Sequence, residues 1–231
     1  MIIVDFKKLI ASSLGIQLTN HQLNQFELYF ETLVEWNQKM NLTAITEKEA
    51  VYHKHFYDSL CLIKAYSLND QNILDVGSGA GFPSIPLKIV YPQLKITIID
   101  ALKKRITFLD TLVNKLDLKG VNLIHGRAET FDAKETFDIV TGRAVAKLNI
   151  LSELCLPFVK ENGYFLAYKG SDVKEEIDQA KNAITILKGN IIKSIQFKVF
   201  NEQRAIIVIQ KLSKTPKKYP RQFKKIKSNP L

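Results

Sequence analysis

The densest chemistry in the chain lies in Ile73-Leu-Asp-Val-Gly-Ser-Gly-Ala-Gly81 and the Phe82-Pro-Ser-Ile-Pro86 that follows, an apolar run entering a glycine-rich turn. Gly77, Gly79 and Gly81 carry no Cβ, so the backbone can take positive φ there and a ligand can approach it closely. The spacing is G-x-G-x-G, with Asp75 two residues before the first glycine, and it departs from the dinucleotide fingerprint G-x-G-x-x-G. A pyrophosphate would rest on the first N–H groups of the following helix. Pro83 and Pro86 stand at that start, and proline has no N–H to give. A ligand with a sugar and a base but no phosphate suits the turn better; a tight turn that binds nothing is the structural alternative. Asp100 closes a second apolar run 19 residues after Gly81. A carboxylate there can accept hydrogen bonds from ribose hydroxyls, or can simply favour the start of a helix.

These residues need strands behind them and helices after them, and the pattern supplies both. Ile73–Val76, Ile96–Asp100, Val121–His125, Phe137–Thr141 and Tyr164–Tyr168 are short apolar runs with the length of buried strands. Helix candidates lie between them at Pro83–Tyr91, Leu102–Leu116, Leu148–Val159 and Asp172–Leu187. Strand and helix alternating at these lengths indicate an α/β fold with a parallel, doubly wound sheet. Ser194–Phe200 and Ala205–Gln210 are joined by Asn201-Glu-Gln-Arg204 with no helix between, so they should pair antiparallel. Five parallel strands closed by a terminal hairpin is the Rossmann-like arrangement of class I methyltransferases, which use S-adenosyl-L-methionine. Arg127-Ala-Glu129, after the third strand, stands where such enzymes commonly hold adenine. Residues 1–70 read as a helical extension without strands. A stripe of Leu23, Phe26, Phe30, Leu33, Val34 and Met40 predicts a helix from an Asn20 N-cap to about Met40. Thr46-Glu-Lys-Glu49 has capping-box spacing for another helix running towards Tyr66.

The loop after the fourth strand should face the methyl acceptor, and it reads Thr141-Gly-Arg-Ala-Val-Ala146. It lacks the Asn/Asp-Pro-Pro-aromatic sequence that grips exocyclic amines. Methylation of cytosine carbon 5 requires a thiolate, and neither cysteine is placed for it. Cys61 falls in the helical third and Cys155 on an apolar helix face, as a small core residue would. His53 and His55 have no cysteine partners nearby, so no metal site is expected.

Several segments together carry a specific resemblance. They are Trp36-Asn-Gln-Lys-Met-Asn-Leu-Thr43, His55-Phe-Tyr-Asp-Ser-Leu60, Asp75–Leu87 with its Gly-Phe-Pro-Ser-Ile-Pro-Leu continuation, Arg127-Ala-Glu129, Arg143-Ala-Val-Ala146 and Leu166-Ala-Tyr-Lys-Gly170. Across residues 36–170 the chain resembles the glucose-inhibited division protein B family, also called the small-subunit rRNA methyltransferase G family. That resemblance implies a bacterial cytoplasmic enzyme that methylates nitrogen-7 of a guanine in 16S ribosomal RNA. It assigns Gly77, Phe82, Ala128, Glu129 and Arg143 to cofactor binding, beside Asp75, Gly79, Gly81 and Asp100 from the residue pattern. Asn41, His55, Asp58 and Lys169 match family positions without assigned roles. Asn41 and Lys169 are candidates for RNA contact; the structural alternatives are that Asn41 caps a turn and that Asp58 pairs with His55, three residues away. Leu102 departs from the family pattern, where many relatives carry a polar residue. No catalytic acid or base is named.

Of the 231 residues, 33 are Lys or Arg and 23 are Asp or Glu, a formal charge of +10. Eight of the cations, from Lys211 to Lys227, fall in the last 21 residues with no acid among them, so residues 1–210 carry only +2. A run of like charge is often a solvated appendage; the other role is a phosphate-binding arm using Lys217, Lys218, Arg221, Lys224 and Lys225. Tyr219 and Phe223, interleaved with these cations, could stack on bases or pack on the body. The expected divisions are a helical extension over 1–70, a methyltransferase domain over 71–211 and a basic tail over 212–231. No apolar run approaches the roughly 18 residues of a membrane span, no signal peptide is visible, and nothing marks an obligate protein partner. The expected partner is 16S rRNA or the small ribosomal subunit.

Overall fold

The computed structural model describes residues 2–231. Seven strands form one sheet: β1 (Asn72–Val76), β2 (Lys95–Asp100), β3 (Val121–His125), β4 (Phe137–Arg143), β5 (Val159–Lys169), β6 (Gly189–Val199) and β7 (Glu202–Lys211). Their order is β3-β2-β1-β4-β5-β7-β6. The first five are parallel, β7 pairs antiparallel with β5, and β6 pairs antiparallel with β7. This is the expected fold class. The hairpin is tighter than the sequence implied: only Phe200 and Asn201 lie outside its strands, because Glu202–Arg204 already pair across to Phe197–Val199.

Alternation along the strands explains why both faces are covered. Ile73, Ile139, Leu166 and Ile206 point into one core, whereas Leu74, Val140, Phe165 and Ile207 point into the other. The first core packs against the N-terminal helices α1 (Ile2–Leu14) and α2 (Asn20–Asn37), together with α5 (Ser84–Val90) and α6 (Lys103–Lys115). The second packs against α7 (Leu148–Cys155) and α8 (Val173–Ile186). Thr19, not Asn20, caps α2: its hydroxyl accepts from the Gln22 N–H while the Gln22 side chain accepts from the Thr19 N–H. Glu47, not Thr46, opens the next helix by accepting from the N–H groups of Glu49 and Ala50. That stretch is not a plain α-helix. It runs through α3 (Lys48–Val51), a π-helical segment (Tyr52–Tyr57), α4 (Asp58–Leu60) and a 3-10 turn (Cys61–Lys64). Phe6, Phe26, Tyr52 and Phe56 interlock edge to face and pin it to α1 and α2.

The C-terminal segment is docked on the second core. Tyr219 and Ile226 are buried there, the latter on α9 (Phe223–Ser228). Arg221 binds Glu153 at 2.6 Å, so this cation has an internal partner and does not project towards solvent. Lys211 is fully buried, donates to the Leu156 carbonyl, and burial brings its ammonium down to about 8. Six of the eight basic residues, Lys214, Lys217, Lys218, Lys224, Lys225 and Lys227, remain exposed.

Between β1 and α5 the glycines take φ of +73° (Gly77), +63° (Gly79) and +96° (Gly81). A Cβ on Gly81 would stand 2.8 Å from both Ile85 and the Tyr29 hydroxyl, whereas one on Gly79 would meet nothing within 4 Å. Gly81→Ala should therefore combine left-handed strain with overpacking, about 2–4 kcal/mol, and lower the melting temperature by roughly 5–10 °C. Gly79→Ala, with only the strain, should cost about 1 kcal/mol in the same melts.

Candidate functional site

Two cavities open at the carboxyl ends of the parallel strands, one on each side of Ala144 and Val145. They flank the place where the chain leaves β1 towards β2 and returns to β4, which is where ligands bind in doubly wound sheets.

The first has a volume of about 370 Å³ and is bounded by Gly77, Asp100, Leu102, the Gly126–Glu129 turn, Val145, Leu154 and Phe223. Asp100, at the end of β2, braces the glycine loop. Its carboxylate accepts from the N–H of Leu102 (2.9 Å) and, less closely, from that of Gly79 (3.3 Å). Arg105 pairs with Asp100 at 3.2 Å, and Arg127 lies 4.0 Å from Glu129. Each cation on this wall thus faces a carboxylate, which leaves none free for a diphosphate. Ile99, Leu102, Leu154 and Phe223 supply apolar faces suited to a flat base. The absent Cβ of Gly77 lets Val145 lie over the loop; a Cβ would come 3.1 Å from its Cγ2. The donor set fits S-adenosyl-L-methionine: a carboxylate for the ribose, a turn with Glu129 for the base and bare backbone at the loop.

The second cavity, about 590 Å³, is strongly charged, with Lys54, Arg143, Lys147, Lys169 and Arg204 on its walls beside Asp58, Glu176 and Glu202. Arg143 ends β4 and organises this space. Its Nη1 donates to Asp58 Oδ2 at 2.6 Å, and its guanidinium lies 5.0 Å from the centre of the Phe82 ring. Phe82 stacks between Tyr29 and His55, with ring centres 5.4 and 4.5 Å away. Asp58 is almost fully buried, and that burial pushes its carboxyl up in spite of Arg143 and Arg204. Burial and then the charge of Arg143 bring His55 down to about 3, so its ring is neutral at physiological pH. The ring is held by Thr43 Oγ1 at 2.8 Å from Nε2. Lys169 binds Glu176 at 2.6 Å and donates to the Ala146 carbonyl at 2.8 Å, fixing the loop that divides the cavities.

Several sequence candidates sit differently from expectation. Asp75 lines neither cavity: it is wholly buried behind the glycine loop, accepts from the Ser84 hydroxyl at 2.7 Å, and leaves Oδ1 without a partner. That burial raises its carboxyl to about 7. Gly81 faces Tyr29 and Ile85 in the core, and Phe82 is held within its aromatic stack. Asp58 pairs with Arg143 and not with His55. Asn37, not Asn41, ties down the following loop, accepting from Leu42 and Thr43; Asn41 is exposed. The Asp58–Arg143 pair, the dividing role of Val145 and the place of Phe223 escaped the sequence reasoning. The first joins residues 85 positions apart and the second brings Val145 over Gly77, also far away in sequence; only the aromatic spacing of the tail hinted at the third. Among the described residues no cluster of three metal-ligating side chains occurs, and no helix is long and apolar enough to cross a membrane.

A family model described as GidB, rRNA small subunit methyltransferase G, matches residues 22–207. The ribosomal RNA small subunit methyltransferase G of Oceanobacillus iheyensis is 55% identical over 214 residues, covering 90% of each chain. That of Bacillus cereus (strain ZK / E33L) is 56% identical over the same length and coverage. Among solved structures, M. jannaschii TYW2 in complex with AdoMet is similar with a TM-score of 0.58 and 14% identity, covering 73% of this chain and 80% of that one. At that identity the likeness is one of fold.

The Asp75 carboxyl gives a pH signature. Its folded value, about 7, lies above the 3.8 of a free carboxyl. Its contribution to stability is therefore fully present below pH 4 and is lost as pH rises towards 7, where the folded state must ionise a buried group. Asp75→Asn removes that ionisation while keeping an acceptor for Ser84. Melts of both proteins should coincide at low pH and separate in favour of Asn at pH 8; a separation that does not grow with pH would contradict the assignment.

Proposed function

The chain belongs to the GidB family of small-subunit rRNA methyltransferases, and from that membership we propose that it transfers the methyl group of S-adenosyl-L-methionine to nitrogen-7 of a guanine in 16S rRNA, in the cytoplasm. The observation that carries this proposal is the pair of cavities meeting at Ala144–Val145, one furnished for a nucleoside and one for a polyanion with a hydrogen-bonding base.

S-adenosyl-L-methionine supplies an electrophilic methyl on a sulfonium. Guanine nitrogen-7 has an in-plane lone pair and no proton, so its attack requires no general base on that atom. What the chain must provide is alignment and exclusion of water. In this reading Asp100 holds the ribose and the Ala128–Glu129 turn holds the adenine, supported by both lining the first cavity. Arg143, held by Asp58 and by the Phe82 face, can donate towards guanine O6 and leave nitrogen-7 free. The neutral His55 adds a polar surface without adding charge. Lys147 and the exposed tail lysines are the cations available to phosphates, which makes affinity for RNA salt-dependent, whereas Lys54 pairs with Glu202. An unstacked guanine in a single-stranded loop is the acceptor reached at least cost.

Labelled S-adenosyl-L-methionine supplied with 16S rRNA and with small subunits should place the label on a guanine as 7-methylguanosine; label found only in protein or small molecules would overturn the proposal. Arg143→Ala should lower kcat/KM by about 10²-fold. Because it leaves Asp58 buried without its closest partner, the Arg143→Ala/Asp58→Ala pair is the check on folding: it should melt near the wild type and remain as inactive.

A further inference from the structure

We propose that the C-terminal segment is a built part of the cofactor site, with Phe223 forming the face on which the adenine ring packs and Arg221 acting as its positioning residue. This rests on the reading that the first cavity holds S-adenosyl-L-methionine.

Phe223 lies on the wall of that cavity together with Ala128 and Glu129. Its backbone N–H donates to Glu129 Oε1 at 3.4 Å, a long contact that nevertheless joins the tail to the turn after β3. Phe223 is half-buried, whereas Gln222 and Lys224 on either side of it are exposed. Arg221 makes three bonds to Glu153: its backbone N–H and Nε donate to Oε1 (2.9 and 2.8 Å), and Nη2 donates to Oε2 (2.6 Å). Glu153 is fully buried on α7, beside Leu154, which lines the same cavity. Tyr219 before the clamp and Ile226 after it are buried in the second core. Phe223 is thus held between fixed points, partly buried, on the wall of the cavity.

A tail that served only as a cationic arm would need none of this. An arm gathers phosphates by charge and works best when solvated. Here a bidentate arginine clamp fixes the backbone within two residues of an aromatic face, and stacking of a base on such a face has substantial affinity at little conformational cost. The segment then has two sides. Its exposed lysines face solvent and RNA, and its apolar side completes the nucleoside pocket. Removing it should weaken cofactor binding as well as RNA binding.

The test is calorimetric binding of S-adenosylhomocysteine to the full chain, with thermal melts in parallel. Phe223→Ala and Phe223→Leu should each raise Kd roughly tenfold, the scale of one lost base–aromatic stack, and Phe223→Tyr should stay within about twofold. Leucine keeps the apolar volume, so its loss isolates the ring from general packing. Arg221→Gln should weaken binding in the wild-type background and add nothing in Phe223→Leu, because it acts through that ring. Lys214→Gln and Lys227→Gln, outside the cavity, should leave Kd unchanged. Wild-type affinity in Phe223→Leu would overturn the proposal. A wild-type chain that binds no S-adenosylhomocysteine would overturn the cofactor reading itself, and this inference with it.

Discussion

The contact on which both cavities depend is the buried ion pair between Arg143, at the end of β4, and Asp58, in the helical stretch before β1. Removing two charges from water costs several kcal/mol per ion, and their attraction recovers this only with good geometry. The consequence is positional more than stabilising. A charged pair with the carboxylate buried and the guanidinium largely shielded admits few arrangements, so the N-terminal helices are fixed against the carboxyl edge of the sheet at one point. Phe82 extends that point in both directions. It takes the guanidinium on its face, stacks on His55, and stacks on Tyr29, whose hydroxyl donates to the Ala80 carbonyl in the glycine loop. The helical extension therefore forms the roof under which the glycine turn and the acceptor cavity meet.

Electrostatics divide the two cavities as clearly as Val145 does. On the nucleoside side each arginine faces a carboxylate, and the remaining surface is apolar. On the other side five cations outnumber three carboxylates, and the histidine among them is neutral because it is buried beside one of those cations. Such a partition suits a reaction in which a lone pair on an RNA base meets a cationic sulfonium. The acceptor side carries a net positive charge suited to phosphate, and transfer to nitrogen-7 needs no general base on that atom.

The sheet was legible because buried parallel strands are written as short apolar runs, and the alternation of Ile73 and Leu74 or Ile139 and Val140 between two cores requires only local pattern. Gly77, Asp100 and the Ala128–Glu129 turn were legible for the same reason: each directly follows a strand. The burial of Asp75 was not legible, because proximity in sequence to the loop does not tell which face of β1 a side chain takes. In β1 it shares the buried interior with Ser84 and leaves the cavity to its neighbours. The Arg143–Asp58 pair joins elements 85 residues apart, and no periodicity encodes such a contact. The π-helical segment was illegible too: it carries Tyr52 and Phe56 into a cluster with Phe6 and Phe26 of distant helices, a contact that local pattern does not encode.

The net charge of +10 has a different meaning once its bearers are located. Lys211 and Arg221 belong to the interior, one capping the Leu156 carbonyl and the other neutralising Glu153. Without Arg221, Glu153 would be a buried carboxylate lacking its ion-pair partner on the very helix that walls the nucleoside cavity. The tail's composition therefore answers two separate constraints. Its exposed lysines could vary in position and still draw in phosphate, since counterion release depends on their number more than their placement. Arg221, Phe223 and Ile226 could not move, because a clamp, a ring and an anchor must each meet one place on the body. Charge counting alone merges these roles; only burial separates them.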